Sequence, residues 1–150
     1  MRVLLQRVTR ASVEIEGKTH SEIRQGMLVL LGVEEEDNHE DINWLSGKIS
    51  RLRIFNDNEG IMNLSVCDIK GELLVVSQFT LHASTKKGNR PGYVKAARPE
   101  TAIPLYEEFV RSLSEETGLK VKTGVFGAMM SIELINDGPV TIMIDSKNKE

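Results

Sequence analysis

Apolar and polar side chains alternate at the start of the chain, as they do in strands that bury one face. The apolar positions are Val3, Leu5, Ala11, Val13 and Ile15. Ser12, Glu14 and Glu16 occupy the positions between them. This period of two predicts an antiparallel pair of strands whose apolar residues all face one way. A turn at Gly17-Lys18 and a short third strand near Ile23 should follow.

Two continuous apolar runs predict strands that are buried on both faces. The first extends from Met27 to Val33. The second, Leu73 to Val76, begins a buried strand that is expected from Leu73 to Phe79. Their length suits a strand better than a helix, and both are rich in Leu and Val. Three more strands are expected around Val121, from Met129 to Ile135 and from Val140 to Ile144.

Two segments have the three-and-four spacing of amphipathic helices. The apolar stripe of the first helix is Ile42, Leu45, Ile49 and Leu52. Asp37, with Glu40 three residues later, predicts a capping box at its start.

The second helix is expected from about Thr101 to Thr117, with Pro104 in its first turn and Gly118 at its end. Its stripe is Leu105, Phe109 and Leu113. Two main helices against mainly antiparallel sheets predict a layered α+β fold, in which residues 1–150 form a single domain.

Composition narrows the function mainly by exclusion. No apolar run approaches the roughly 20 residues of a membrane span, and the start lacks the apolar core of a signal peptide, so we expect a cytoplasmic protein. Cys67 is the only cysteine, which rules out an internal disulfide and a zinc–thiolate cluster. It is read as a small buried hydrophobe, with a nucleophile as the alternative. No spacing resembles a metal site, and we expect neither metal nor cofactor.

Charge argues against a protein that coats nucleic acid, because the net charge is −3 and the pI is near 5.7. The segment 82–99 nevertheless carries five basic residues and no acid: Lys86, Lys87, Arg90, Lys95 and Arg98. This segment is too long for a passive connection and predicts a local contact with an anionic partner. A solvated loop is the alternative.

The buried run at Leu73 becomes polar in Ser77-Gln78-Phe79-Thr80-Leu81. Polar side chains at a strand end either face a cleft or bond the local backbone. If the strand continued, Thr80 and His82 would share a face, as a nucleophile and its base require.

A second polar motif, Asn136-Asp137-Gly138-Pro139-Val140-Thr141, lies between two expected strands. Its residue types predict a tight hairpin connection whatever the function. A cis bond before Pro139 would aim successive carbonyls in one unusual direction, which suits recognition of a ligand.

Together, the Ser77–Leu81 motif and Asn136-x-Gly138-Pro139-Val140-Thr141 resemble the two signature motifs of D-aminoacyl-tRNA deacylases. The likeness extends to Met1-Arg2…Gln6-Arg7-Val8…Ala11-Ser12-Val13 at the start. It also covers Gly88-x-Arg90-Pro91 and Phe126-x-Ala128-Met129. It therefore spans the whole chain.

The resemblance implies hydrolysis of the ester between a D-amino acid and the terminal ribose of tRNA, in a homodimer without metal or cofactor. Ser77, Gln78, Phe79 and Thr80 would form the catalytic strand end. Gly138 and Pro139, joined by a cis bond, would enter from the partner subunit, exclude L side chains and let glycine pass. Arg7 and Asn136 would support that loop. Phe126 and Met129 would contact the terminal adenine, whereas the residues taken alone favour a place in the core for both.

In this reading the exposed Lys86, Lys87 and Arg90 would contact the acceptor end of tRNA, and neither DNA nor membrane is an expected partner. Catalysis should depend on backbone N–H groups around Phe79 and Thr80 more than on side chains, because no triad is visible. Two other functions remain: a non-catalytic dimer that binds the end of tRNA, and an unrelated esterase with Thr80 or Cys67 as nucleophile.

Overall fold

The computed structural model describes residues 1–150, which fold into eight strands, two helices and one 3-10 turn. In chain order these are β1 (Arg2–Ile15), β2 (Lys18–Ile23), β3 (Gly26–Gly32), α1 (His39–Ser50), β4 (Phe55–Asn56), β5 (Met62–Leu64), β6 (Glu72–Ser77), the 3-10 turn (Phe79–His82), α2 (Pro99–Thr117), β7 (Val121–Thr123) and β8 (Ser131–Asp145). The expected α+β class with two main helices is confirmed. Neither helix is long and apolar enough to cross a membrane.

Strand β1 is the element that the main sheet shares. It pairs antiparallel with β3 over its first half, with β2 over its second half, and with β8 along its other edge. On the far side of β3, strands β6 and β7 continue the sheet in parallel orientation. Strands β4 and β5 form a separate antiparallel ribbon. The sheet is therefore mixed, with its parallel part at β3, β6 and β7.

Two apolar clusters lie on opposite faces of the sheet. The larger one joins alternate residues of β3 and β6, such as Met27 and Leu73, to the stripes of α1 and α2. The smaller one uses the intervening residues, such as Leu28 and Leu74, and is covered by the first half of β8. The continuous apolar runs of β3 and β6 thus reflect burial on both faces, as expected.

The expected pair of strands at the start of the chain is wrong, because residues 2–15 form the single strand β1. Val3 and Leu5 belong to the larger cluster, whereas Ala11 and Val13 belong to the smaller one. Irregular pairing with β8 between Gln6 and Arg10 separates the two halves. An irregularity of this kind changes the direction of the side chains that follow it in the strand. A constant period of two therefore could not predict which face of the sheet each half of β1 buries.

The expected hairpin at residues 136–141 is also wrong. Both halves of β8 pair antiparallel with the same strand, so the chain does not reverse: Thr141 pairs with Gln6, and Asn136 with Val8. The intervening residues bulge away from β1 opposite Arg7. Proline is tolerated at such a bulge because no ladder bond requires its missing N–H. We call residues 136–140 the β8 bulge.

Helix α1 begins one residue later than the expected capping box implies. Asn38 is the N-cap and accepts from the N–H of Glu40, and Asp41 accepts from the N–H of Asn38 at 3.0 Å. Asp37 is instead buried against the α-ammonium group of Met1. Sequence spacing alone could not distinguish two adjacent capping residues, because each has an acidic residue three positions later.

Helix α2 begins at Pro99, with proline in its first turn, and ends at Gly118, whose φ is 66°. Pro104 was expected in the first turn of the helix, but it lies beyond that turn. The fully buried positions of the helix are Ala102, Tyr106, Phe109 and Leu113. Leu105 is only partly buried, so the buried stripe is shifted by one residue at this end.

A polar network joins the ends of the chain to the start of α1. The Met1 ammonium group donates to Ser146 Oγ at 2.9 Å, and that hydroxyl donates to Asp41 at 2.6 Å. Lys147 donates to the other Asp41 oxygen at 2.8 Å. Burial opposes ionisation of Asp41, but the hydrogen bonds from Lys147, Ser146 and the Asn38 N–H outweigh it and hold its pKa below the usual value of 3.8.

This lowered pKa predicts that Asp41 stabilises the fold at neutral pH and ceases to do so in acid. A carboxyl whose pKa is lower in the folded state stabilises above its unfolded pKa, and the effect is lost as pH falls through the folded pKa. Asp41→Asn should lower the free energy of unfolding at pH 7 by about 1–2 kcal/mol. Urea denaturation should show this difference shrinking from pH 7 to pH 2.

Glu59→Gln is the control, since Glu59 is exposed and forms no side-chain bond. It should leave the free energy of unfolding unchanged at each pH. A difference between wild type and Asp41→Asn that stays constant down to pH 2 would contradict the prediction.

Candidate active site

The polar motif at the end of β6 forms a tight turn rather than a longer strand. The strand ends at Ser77, the N–H of Gln78 still donates to the Leu31 carbonyl at 2.7 Å, and the 3-10 turn follows. The Gln78 amide donates to the Thr80 hydroxyl. The turn packs closely on the end of β3, where a Cβ at Gly32 would lie 3.0 Å from the Gln78 carbonyl oxygen.

A narrow pocket of about 80 Å³ opens beside this strand end. It is mostly apolar, and its polar lining comes from Ser77 and Gln78. The remaining lining residues are Leu31, Val33, Phe79, Ala97, Ala102, Tyr106, Phe126 and Gly127. We call it the strand-end pocket. Apolar walls with a few polar groups at one end are typical of sites for small organic groups.

Aromatic residues stand on two sides of the strand-end pocket. Phe79 is 55% exposed and meets Tyr93 edge to face, with 5.0 Å between the ring centroids. Phe126 is half-buried and lies edge to face with Tyr106 at 6.0 Å. Met129 is 92% exposed and does not line the pocket, so its assignment to the core is wrong, whereas Phe126 packs against the larger cluster.

The suggested Thr80–His82 pair is not formed. Both residues lie in the 3-10 turn, in which side chains two positions apart point in different directions. His82 is also buried, and neither of its ring nitrogens forms a hydrogen bond. Cys67 is half-buried, and its thiol donates to the carbonyls of Ser50 and Thr117. Burial raises the pKa of the Cys67 thiol, which makes it a poor nucleophile.

The β8 bulge is held from beneath by Arg7. Its buried guanidinium donates to the Asp137 carbonyl at 2.9 Å and to the Ile54 carbonyl at 2.6 Å. The Asp137 carboxylate lies 3.1 Å from Arg7 Nε. Arg7 therefore connects β1, the bulge and the segment before β4, in the supporting position expected for it.

Asn136 closes the β8 bulge from within. Its amide donates to the carbonyls of Arg7 and Val140, each at 3.0 Å. A Cβ on Gly138 would run into the Asn136 side-chain oxygen, so the bulge requires glycine there. The Gly138-Pro139 bond is cis, as expected, and both residues are exposed.

The two motifs are not brought together within one chain. Ser77 pairs with Leu31, which pairs with Val3, while the bulge lies at Arg7, roughly 13 Å further along β1. Strands β6 and β8 are also separated by β3 and β1, which adds three inter-strand steps or about 14 Å. The two motifs therefore lie far apart within one chain.

The basic segment lies between the 3-10 turn and α2. Lys86, Lys87 and Arg90 are all exposed, in a loop whose base is closed by paired bonds between Ser84 and Gly92. At its far end the N–H of Ala97 donates to the Val33 carbonyl, and both residues line the strand-end pocket. The loop thus leads directly to the pocket.

Comparison with known proteins identifies the family. A family model described as D-Tyr-tRNA(Tyr) deacylase matches residues 4–145. The D-aminoacyl-tRNA deacylase of Flavobacterium johnsoniae is 60% identical over 150 residues, which is 100% of both chains. That of Porphyromonas gingivalis is 64% identical with the same coverage. This chain belongs to the D-aminoacyl-tRNA deacylase family.

Solved structures agree with this assignment. A c-Myc DNA Unwinding Element Binding Protein has a TM-score of 0.90 and 41% identity, covering 97% of this chain and 98% of its own. A probable eukaryotic D-amino acid tRNA deacylase has a TM-score of 0.81 and covers 95% and 97%, and at 18% identity it supports the deacylase fold alone. The printed name of the first attributes DNA binding to that protein, and for this deacylase the absence of a DNA partner stays a prediction.

Tyr106 lines the strand-end pocket but is not among the site residues predicted from the sequence. It lies four residues after Ala102 and three before Phe109, and both of these are buried. This spacing, which continues to Leu113, indicates that Tyr106 lies on the buried face of the helix. The alternative stripe through Leu105 obscured it, because Leu105 and Tyr106 are adjacent and both are compatible with the face.

The isolation of His82 predicts that its imidazole takes no part in catalysis by this deacylase. His82→Leu preserves the approximate volume and removes two buried nitrogens that lack partners. Stability should stay equal or rise by up to about 1 kcal/mol, and kcat should stay within about threefold of wild type. Thermal unfolding and single-turnover deacylation measure the two effects. A loss of about a thousandfold in kcat would restore His82 as a base.

Proposed function

We propose that this protein hydrolyses the ester bond of D-aminoacyl-tRNA at the strand-end pocket and releases the free amino acid and tRNA. The activity follows from its family. The location is supported by the 3-10 turn that begins at Phe79. The first N–H groups of such a turn have no acceptor inside it, so those of Phe79 and Thr80 are free to donate. They therefore suit the oxyanion that forms during ester hydrolysis.

The proposed chemistry needs no acidic or basic side chain in direct contact with the ester. Water adds to the ester carbonyl, the N–H groups at Phe79 and Thr80 stabilise the negative oxygen, and the bond to the ribose oxygen breaks. The attacking water's proton passes to that leaving oxygen, a transfer in which the neighbouring 2′-hydroxyl of the substrate takes part. The half-buried Ser77 and Gln78 position the turn, since the Gln78 amide donates to Thr80.

In this proposal the terminal adenine stacks on Phe126 at the edge of the strand-end pocket, because a volume of about 80 Å³ is too small to enclose a nucleoside. Phe126 offers an aromatic surface there, and stacking of one base on such a ring contributes about 1–3 kcal/mol. The exposed Met129, three residues on, is a second contact for the same nucleotide. The basic loop beside the pocket then faces the phosphates of the acceptor end.

Chiral selection requires a rigid wall beside the substrate amino group, and we assign this to Gly138 and Pro139 of the partner subunit. When the amino group and the ester of the substrate are held fixed, the hydrogen and the side chain on the α-carbon occupy exchanged positions in the D and L forms. A wall on one side of the α-carbon therefore excludes one enantiomer. Glycyl-tRNA, with no side chain, is also accepted. The exposed β8 bulge is held rigidly by Arg7 and Asn136, yet is far from Ser77 in its own chain. A homodimer would bring the two together.

The exposed edge of β8 supports such a dimer. This strand pairs only with β1 in the isolated chain. Its residues Ile135 and Met143 are each about half exposed. An apolar, unpaired strand edge is a usual site of association. Because charged tRNA is the proposed substrate, we expect the protein to act in the cytoplasm. An esterase that uses Cys67 is disfavoured by the bonded thiol, whereas a non-catalytic tRNA-end binder is distinguished by assay.

The decisive experiment compares one tRNA charged with a D-amino acid, its L form and glycine. Wild type should hydrolyse the D and glycyl esters and spare the L ester, whereas a non-catalytic binder would release nothing.

Gly138→Ala should lower turnover of the D ester about tenfold or more, because its Cβ displaces Asn136 and shifts the wall. Gly92→Ala is the matched control, since its Cβ meets nothing within 4 Å. Unchanged rate and chirality in Gly138→Ala would exclude this role.

Mixed dimers test whether the site is shared between subunits. Phe79→Pro removes one N–H donor from the strand end, and Gly138→Ala damages the wall, so each variant alone should keep at most about a tenth of wild-type activity. Coexpression gives mixed dimers as half of the total, each with one intact site, or about a quarter of all sites. Recovery of activity near that level supports the shared site. No recovery would show that both elements act within one chain.

The basic loop predicts salt-dependent binding. Changing both Lys86 and Lys87 to Gln should weaken tRNA binding and reduce the slope of log affinity against log salt by about 1.5. The fold should be unaffected because both side chains are exposed. Changing Lys18 and Lys120 to Gln removes the same charge elsewhere and serves as control. An unchanged slope in the Lys86 and Lys87 variant would make this loop a solvated surface.

A further inference from the structure

Tyr106 is a polar side chain of the deacylase pocket that the reaction described above does not use. It projects from α2, is 6% exposed, and its hydroxyl donates to the Val75 carbonyl at 2.8 Å. Burial raises the pKa of Tyr106 well above its usual value, so the phenol stays protonated and remains a donor. Its single acceptor lies two residues before Ser77, in the strand that carries the proposed catalytic turn.

The Val75 carbonyl marks the point where β6 loses its neighbour. The pairing of β6 with β7 ends at Val75 and Thr123, and the Gly124 N–H then donates to the same carbonyl at a longer 3.3 Å. Beyond this point Val76 and Ser77 have β3 on one side only. The Val75 carbonyl therefore accepts the last lateral bonds that β6 receives on this side before the turn begins, and the shorter of the two comes from the hydroxyl of Tyr106.

The ring of Tyr106 supports a second wall of the strand-end pocket. Phe126 lies edge to face with it at 6.0 Å, and the neighbouring Gly127 has a φ of 77° where the chain turns back. Phe126 and Gly127 line the same pocket as Ser77 and Gln78. One residue of α2 thus contacts the strand-end wall through its hydroxyl and the aromatic wall through its ring.

We propose that Tyr106 is a positioning residue that sets the distance between the two walls of the strand-end pocket. Its hydroxyl fixes β6 where the N–H groups of Phe79 and Thr80 are aimed, and its ring holds Phe126 where the terminal base stacks. The two functions are separable by substitution. This inference rests on the location of the active site proposed above.

The two halves of the side chain predict different kinetic effects. Tyr106→Phe keeps the ring and removes the bond to Val75, so kcat should fall about threefold to tenfold with KM unchanged. Tyr106→Leu also removes the support for Phe126, so KM for D-aminoacyl-tRNA should rise about tenfold as well. Steady-state deacylation at a temperature where both variants are fully folded measures this division.

Thr117→Val is the matched control, because it removes another hydroxyl-to-carbonyl bond of α2, eleven residues from Tyr106 and outside the lining of the pocket. Both constants should stay at wild-type values. Phe126→Ala tests the location itself and should raise KM about tenfold. If it does so while Tyr106→Phe equals wild type in kcat, the role of Tyr106 is overturned and the location stands. If Phe126→Ala changes neither constant, the location is wrong and this inference fails with it.

Discussion

The buried guanidinium of Arg7 is the constraint on which the irregular part of the structure depends. A charge removed from water is tolerated only when hydrogen bonds and an opposite charge replace its hydration. Arg7 obtains these from the Ile54 carbonyl, the Asp137 carbonyl and the Asp137 carboxylate, which belong to two separate segments. Satisfying this one group therefore fixes the segment before β4 and the β8 bulge to β1 at the same time. Regular pairing of β8 at this point would withdraw the Asp137 carbonyl from Arg7.

The sequence predicts what is periodic and local, and fails where pairing between distant segments decides the outcome. The buried strands β3 and β6, the stripe of α1 and the αL residue Gly118 each follow from a pattern within one segment. The bulge does not, because Asn136-Asp137-Gly138-Pro139 has the composition of a hairpin turn. Only the pairing of both halves of β8 with β1 shows that the chain continues in one direction.

The candidate site shows the same division. The polar residues after β6 mark a strand end from composition alone, and both signature motifs could be named from the sequence. Their geometry could not be, since alternation assumes a continuing strand and places Thr80 beside His82. The 3-10 turn instead buries His82 and leaves the Phe79 and Thr80 N–H groups free. Tyr106 was missed because its role depends on a carbonyl of β6, 31 positions earlier in the chain.

A site built from backbone groups explains why the chain carries no paired acid and base near either motif. N–H groups in a short turn are aimed by the fold, so their precision depends on what fixes the turn: β3 at Gly32, the end of β6, and in our proposal Tyr106. The same logic applies to the wall that we propose at Gly138, where hydrogen bonds from Arg7 and Asn136 hold the bulge and glycine would leave space for the substrate. Two rigid elements that lie apart in one chain cannot adjust to each other by local motion. In the proposed function their relative position comes from the docking of two subunits, and the dimer contact itself would then be a determinant of chirality.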